Sequence, residues 1–139
     1  MEKHTIMAEW KDGIHFESNA PGGLLPLDGA EESGGQGKGL RPKALMLSAI
    51  AGCTGIDVVM VLNKMRVPYQ TFHVEVNGEL TDEHPKMYHA VHIIYHFKAE
   101  NPDMEKFTKA VTLSFEKYCG VIAMFKKFAT VTIEIKMNV

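Results

Sequence analysis

An α+β fold is predicted by three features of the chain. Apolar and polar residues alternate strictly in several short stretches, two longer segments are patterned as helices, and a glycine-rich segment separates the first strands from everything that follows. With 139 residues and 45% hydrophobic content, the chain suits one domain around one core, spanning residues 1–139.

The elements follow in order. Thr5–Trp10 and Ile14–Glu17 alternate and are joined by Lys11-Asp12-Gly13, a turn signal, so residues 1–19 are read as a hairpin. Residues 20–40 hold seven of the twelve glycines plus Pro21 and Pro26 and are read as a loop. Pro42 fits the first position of a helix, Pro68 stops it, and the spacing predicts a helix over 42–66. Residues 70–139 hold the rest. Phe72, Val74 and Val76 share one strand face, as do Val91, Ile93, Tyr95 and Phe97, and these two strands are read as an antiparallel pair linked through Thr81–Lys86. A helix is expected from a cap at Asn101-Pro102, with Phe107, Val111, Phe115, Tyr118 and Ile122 along one side. Gly120 suggests a break into a short helix over Val121–Phe128. Val131, Ile133, Ile135 and Met137 mark a last strand.

The first helix carries a further implication. Between Lys43 and Met65 apolar side chains occupy every side, and a helix apolar all round is buried all round. Five strands and one amphipathic helix are too little material to cover about six turns. A second copy of the chain is the natural source of cover, so a homodimer centred on these helices is expected.

Charge excludes other partners. A formal net charge of -2 gives no basic footprint for nucleic acid. Residues 44–62 are long enough to span a bilayer, but Gly52, Gly55 and Asp57 interrupt them and no membrane partner is expected. The segment MEKHTIMAEWKDG lacks the pattern of a secretory signal, so a cytoplasmic location is expected, and with it reduced thiols.

The chemistry rests on the only two cysteines, Cys53 in LSAIAGCTGIDVVMVL and Cys119 in LSFEKYCGVIAMF. A lone buried cysteine is ordinarily an inert small hydrophobe, while a pair distant in sequence is either core filling or a redox centre. Gly52 and Gly55 leave room beside Cys53, and Glu116 and Lys117 place Cys119 in a partly polar segment. No metal or cofactor is expected. His92 and His96 share a strand face but stand roughly 13 Å apart, and a tetrahedral zinc site from Cys53, Cys119 and a distant histidine is the alternative. Gly34-Gly35-Gln36-Gly37-Lys38-Gly39 lacks the spacing and the serine or threonine of a phosphate loop and is read as a connector.

The run Pro42–Val59, PKALMLSAIAGCTGIDVV, resembles the central cysteine helix of the OsmC/Ohr family. The run Ala110–Cys119, AVTLSFEKYC, is similar to the second cysteine segment of its OsmC-like branch. The resemblance implies an OsmC-like fold, with antiparallel sheets wrapped around two central helices of an intertwined homodimer. It also implies thiol-dependent reduction of organic hydroperoxides, or of hydrogen peroxide, in oxidative-stress defence. Cys53 would then attack the peroxide and become a sulfenic acid, Cys119 would resolve it as a disulfide, and a dithiol reductant would clear that bond. Peroxidases of this family carry an assisting arginine in the N-terminal region and a glutamate just after the helix-starting proline. This chain has no arginine before Arg41, and Lys43 with Ala44 follows Pro42. Arg41 and Lys43 are thus the candidate cations, about 15 Å or more up the helix from Cys53, with Glu116 and Lys117 as auxiliary candidates near Cys119. The alternative function is a non-catalytic, stress-associated or small-molecule-binding dimer of the same family.

Overall fold

The computed structural model describes residues 1–139 and contains two compact units, Met1–Met46 and Leu47–Val139. In the first unit, β1 (Ala8–Asp12), β2 (His15–Ala20) and β3 (Gly23–Leu27) form an antiparallel sheet in that order. The expected hairpin forms, but β1 begins at Ala8 and, across an irregularity between Trp10 and Asp12, continues to Asp12. The turn therefore falls at Gly13-Ile14, with Gly13 at φ 51°.

The segment read wholly as a loop holds β3 and a 3-10 turn at Glu31–Ser33. Pro26 disguised the strand. It has no N–H to donate, and it is tolerated because β3 is the last strand of its sheet. The rest of the segment is organised by Asp28, 2% exposed, whose carboxylate accepts the backbone N–H of Gly29 (2.8 Å), Gln36 (2.9 Å) and Lys38 (3.1 Å). The Gln36 and Lys38 N–H groups, chiefly, hold the Asp28 carboxyl below its ordinary range. Lys38 Nζ also reaches Asp12 Oδ2 at 2.8 Å.

In the second unit, β4 (Thr71–Leu80), β5 (Tyr88–Lys98) and β6 (Thr130–Met137) form a sheet in that order. The predicted alternation is in register. Phe72 faces Phe97, Val74 faces Tyr95, Val76 faces Ile93, and Val131, Ile133 and Ile135 continue the same apolar face. One pairing departs from the expectation of antiparallel sheets, because β6 runs parallel to β5. Alternation fixes faces, not direction, and the connection between these strands is long enough for a crossover. That connection holds α2 (Met104–Leu113), a π-helical turn (Ser114–Tyr118) and α3 (Gly120–Phe125). The cap of α2 is Asp103, not Asn101-Pro102. The Asp103 side chain accepts the Lys106 N–H at 3.4 Å, whereas Asn101 has φ 45°. The break after α2 falls at Cys119, which is extended, and Gly120 begins α3.

Helix α1 (Pro42–Lys64) is long and apolar enough to cross a membrane by length and composition. Its buried residues Ile50, Thr54, Val58 and Leu62 form a stripe at four-residue spacing. The core also contains Val91, Ile93, Tyr95 and Phe97 of β5 with Phe107, Val111, Ile122 and Phe125. Ile56 and Met60, on another side of α1, are 63% and 65% exposed. The helix is apolar all round, as read, but the chain itself covers one stripe.

Two fold predictions follow from these contacts. Because the Asp28 pKa is depressed by folding, its contribution is present above the unfolded value of about 3.9 and is lost as pH falls through the folded value. Urea melts followed by Trp10 fluorescence should show stability falling between about pH 5 and pH 3, with a shallower fall in Asp28→Asn; an unchanged slope refutes the role. At Gly78 an added Cβ would meet the Tyr88 ring at 2.8 Å and Leu47 Cδ1 at 2.9 Å. Gly78→Ala should cost about 1–3 kcal/mol by overpacking, measured by chemical denaturation.

Candidate active site

Thr54 is the one polar member of the buried stripe of α1, so its hydroxyl has to find partners inside the core. It has two. Tyr95 OH on β5 lies 2.6 Å from Thr54 Oγ1, and Ser114 Oγ at the start of the π-helical turn lies 2.7 Å away on another side. Ser114 Oγ in turn donates to Asp57 Oδ2 at 2.9 Å. Each hydroxyl has one proton to give, and an ionised carboxylate only accepts. The direction is thereby fixed: Tyr95 donates to Thr54, Thr54 to Ser114, and Ser114 to Asp57.

Asp57 lies one helical turn beyond Cys53, on the same side of α1. Cys119 is brought to the same place by the π-helical turn, whose widened geometry pairs the Cys119 N–H with the Ser114 carbonyl at 2.9 Å. The result is a compact cluster. Cys53 Sγ, Cys119 Sγ and an Asp57 carboxylate oxygen all lie within 4.8 Å of one another. Both cysteines are free thiols. They differ in access, since Cys53 is half-buried and Cys119 is only 3% exposed.

Electrostatics separates them further. Burial pushes the Cys119 thiol up to about 12, and the neighbouring Cys53 adds to the effect against a partly offsetting Ile122 N–H. The Ile122 N–H meets Cys119 Sγ at 3.4 Å. Burial likewise raises Tyr95 to about 12, so it remains a donor at neutral pH. No lysine or arginine forms an ion pair with Asp57; the lysines within 4.0 Å of a carboxylate pair with Glu9, Glu17, Asp12 and Glu116.

The structure therefore brings Cys53 and Cys119 together. Arg41 Nη1 donates to the Gly39 carbonyl at 3.4 Å, and Lys43 is exposed; both lie in the N-terminal unit. Glu116 approaches Lys126 at 3.9 Å, and Lys117 lies over the Tyr118 ring at 5.6 Å. With Cys119, Glu116 and Lys117 line a hollow of about 290 Å³. Gly52 and Gly55 line a mainly apolar groove of about 530 Å³ together with Ile56, Val59, Met60 and His73, and Cys53 is not among its lining residues. No histidine joins the cluster. His92 contacts Thr132 and Glu134, and His96 contacts Glu75.

Sequence reasoning missed Asp57, Thr54, Ser114 and Tyr95 as site residues. Asp57 was legible through its four-residue spacing from Cys53. Thr54 and Ser114 each place a hydroxyl on an apolar helix face, which is a signal for a buried polar network, and Tyr95 gave none beyond its core position.

Comparison with known proteins bears on this geometry. Protein YhfA of Escherichia coli K12 is 34% identical over 127 residues, covering 89% of this chain and 90% of its own length. A hypothetical protein from Aquifex aeolicus VF5 superposes over the whole of both chains with a TM-score of 0.82 at 29% identity. The organic hydroperoxide resistance protein OsmC of Legionella pneumophila shares the fold, with a TM-score of 0.71 at 18% identity over 98% of each chain. The family model for OsmC-like proteins matches residues 35–134, and together with the relative in Escherichia coli this shows that the chain belongs to the OsmC-like family.

Proposed function

We propose that the protein is a thiol peroxidase acting on small organic hydroperoxides, with Cys53 as the attacking thiol and Cys119 as the resolving one. The observation that carries this reading is the approach of both sulfurs and the Asp57 carboxylate to within 4.8 Å of each other. Asp57 takes the Cys53 proton, and the thiolate attacks the outer peroxide oxygen. The O–O bond breaks as the S–O bond forms, and Asp57 returns the proton to the departing alkoxide. Thiol and hydroperoxide thus become sulfenic acid and alcohol. Cys119 then attacks the sulfenic sulfur, its proton leaves with the hydroxyl as water, and a disulfide forms. A dithiol reductant restores both thiols by exchange. The hydroxyl chain from Tyr95 through Thr54 and Ser114 ends on Asp57 Oδ2 and holds the carboxylate in place between these transfers.

Asp57 thus takes the proton-transfer role that the family resemblance gives to a glutamate just after the helix-starting proline, where this chain has Lys43 and Ala44. Two observations favour a second reading, a non-catalytic binding protein of the same family: no guanidinium or ammonium pairs with Asp57, and burial keeps the Cys119 thiol protonated. Peroxide turnover separates the two.

Homodimers are typical of the OsmC/Ohr family, and the exposed side of α1 gives this chain a reason to form one. Ile56 and Met60 lie beside the apolar groove, and a second copy would bury them.

With cumene hydroperoxide and a dithiol, the reduced protein should turn over. Cys53→Ser should abolish turnover, Cys119→Ser assayed without the dithiol should release about one equivalent of alcohol and stop at the sulfenic acid, and Asp57→Asn should slow the reaction by about 10²–10⁴-fold. Wild-type turnover no faster than that of Cys53→Ser rejects the peroxidase reading in favour of the binding protein. Iodoacetamide at neutral pH should label Cys53 before Cys119, as resolved by peptide mass spectrometry. Light scattering at micromolar concentration should give twice the 15.5 kDa chain mass, and Met60→Glu should shift it to the monomer. A wild-type monomer refutes the dimer.

A further inference from the structure

The same cluster has the composition of a metal site. It offers two sulfurs and one carboxylate oxygen, all mutually within 4.8 Å, on a half-buried surface with no histidine and no ion-paired cation at the carboxylate. In a tetrahedral zinc site with Zn–S bonds near 2.3 Å the sulfurs stand about 3.8 Å apart. The three donors are therefore within about 1 Å of their ligating positions.

We propose that the reduced protein binds one divalent, borderline-soft cation, Zn²⁺ above all, through Cys53 Sγ, Cys119 Sγ and Asp57. Two thiolates select zinc over magnesium or calcium, which prefer oxygen alone. The carboxylate and the shape of the cluster suit a tetrahedral ion. Ser114 completes the arrangement from behind, since its hydroxyl holds Asp57 Oδ2 and leaves Oδ1 for the metal. The buried Cys119 supplies an anchor that has little access to water, 3% exposed, while the half-buried Cys53 and Asp57 leave the fourth position open to solvent. Binding displaces two thiol protons to solvent, and two thiolates plus one carboxylate against a divalent ion leave a net charge of about -1. Oxidation of the pair to a disulfide removes both sulfur ligands, so metal and disulfide exclude one another. The proposal does not depend on peroxide turnover.

The test uses the reduced full-length protein and metal alone. Titration with Co²⁺ should produce a thiolate-to-cobalt charge-transfer band saturating at one equivalent per chain, which Zn²⁺ should displace. Cys53→Ser and Cys119→Ser should each remove most of the band, Asp57→Asn should weaken Zn²⁺ binding at least tenfold, and Ser114→Ala about 10–100-fold. Circular dichroism confirms that each variant folds. Wild-type protein oxidised to the disulfide with diamide should bind no metal at this site, an arm that needs no substitution. Absence of the band, or binding that survives either cysteine variant or diamide, overturns the proposal. Turnover assayed with a chelator present keeps the peroxidase question separate.

Discussion

The second unit depends on how one buried hydroxyl is satisfied. Thr54 sits in a stripe that is otherwise Ile50, Val58 and Leu62, and leaving its hydroxyl unpaired there would cost about 1–3 kcal/mol. Its two partners come from β5 and from the π-helical turn, so satisfying it draws three elements onto one point. Ser114 is held by Thr54 and holds Asp57, and the i→i+5 bond from Ser114 fixes Cys119. The position of the second cysteine thus follows from the polarity of residue 54. A regular α-helical turn at this point would place Cys119 elsewhere around the helix axis, and no bond from Ser114 would define its distance from Cys53.

The two thiols are made unequal by the same packing. Cys119 is 3% exposed within the same core cluster as Val111, Ile122 and Phe125 and remains a thiol at neutral pH. A buried neutral thiol with a raised pKa contributes stability below the unfolded value of about 8.5 and loses it as pH rises toward the folded value. Cys53, one turn from Asp57 and nearer to solvent, is the thiol that a peroxide or an alkylating agent meets first. Access therefore ranks the pair before any difference in nucleophilicity is needed.

Much of this was legible in the sequence because periodicity reports which faces are buried. The apolar faces of β4, β5 and β6 follow from spacing alone, whereas the covered stripe of α1 does not, because the helix is apolar all round. What escaped has physical reasons. Pro26 and its flanking glycines hid β3, since an edge strand can dispense with an N–H and with strong β propensity. The direction of β6 escaped because side-chain alternation is the same in parallel and antiparallel ladders. Asp57 was read as an obstacle to membrane insertion, although its spacing from Cys53 already put it on the reactive side of α1. Tyr95 became visible only when three dimensions showed which buried hydroxyls meet.

The identity of the third group in the cluster decides how the thiols can ionise. An arginine would favour thiolate directly, whereas a carboxylate opposes it. Two unit charges about 4.8 Å apart repel by about 3–4 kcal/mol at an effective dielectric constant near 20. Three negative charges within 4.8 Å of one another are therefore mutually unfavourable unless a cation joins them. Two solutions remain open to the chain. Either one proton is shared within the cluster, moving between Asp57 and whichever sulfur is reacting, or a divalent ion neutralises the three groups at once. The first permits stepwise thiol chemistry at neutral pH, and the second arrests it by engaging both sulfurs. On the two proposals made above, proton-coupled peroxide chemistry and metal binding would be competing states of one site, because both need the same two sulfurs and the carboxylate beside them.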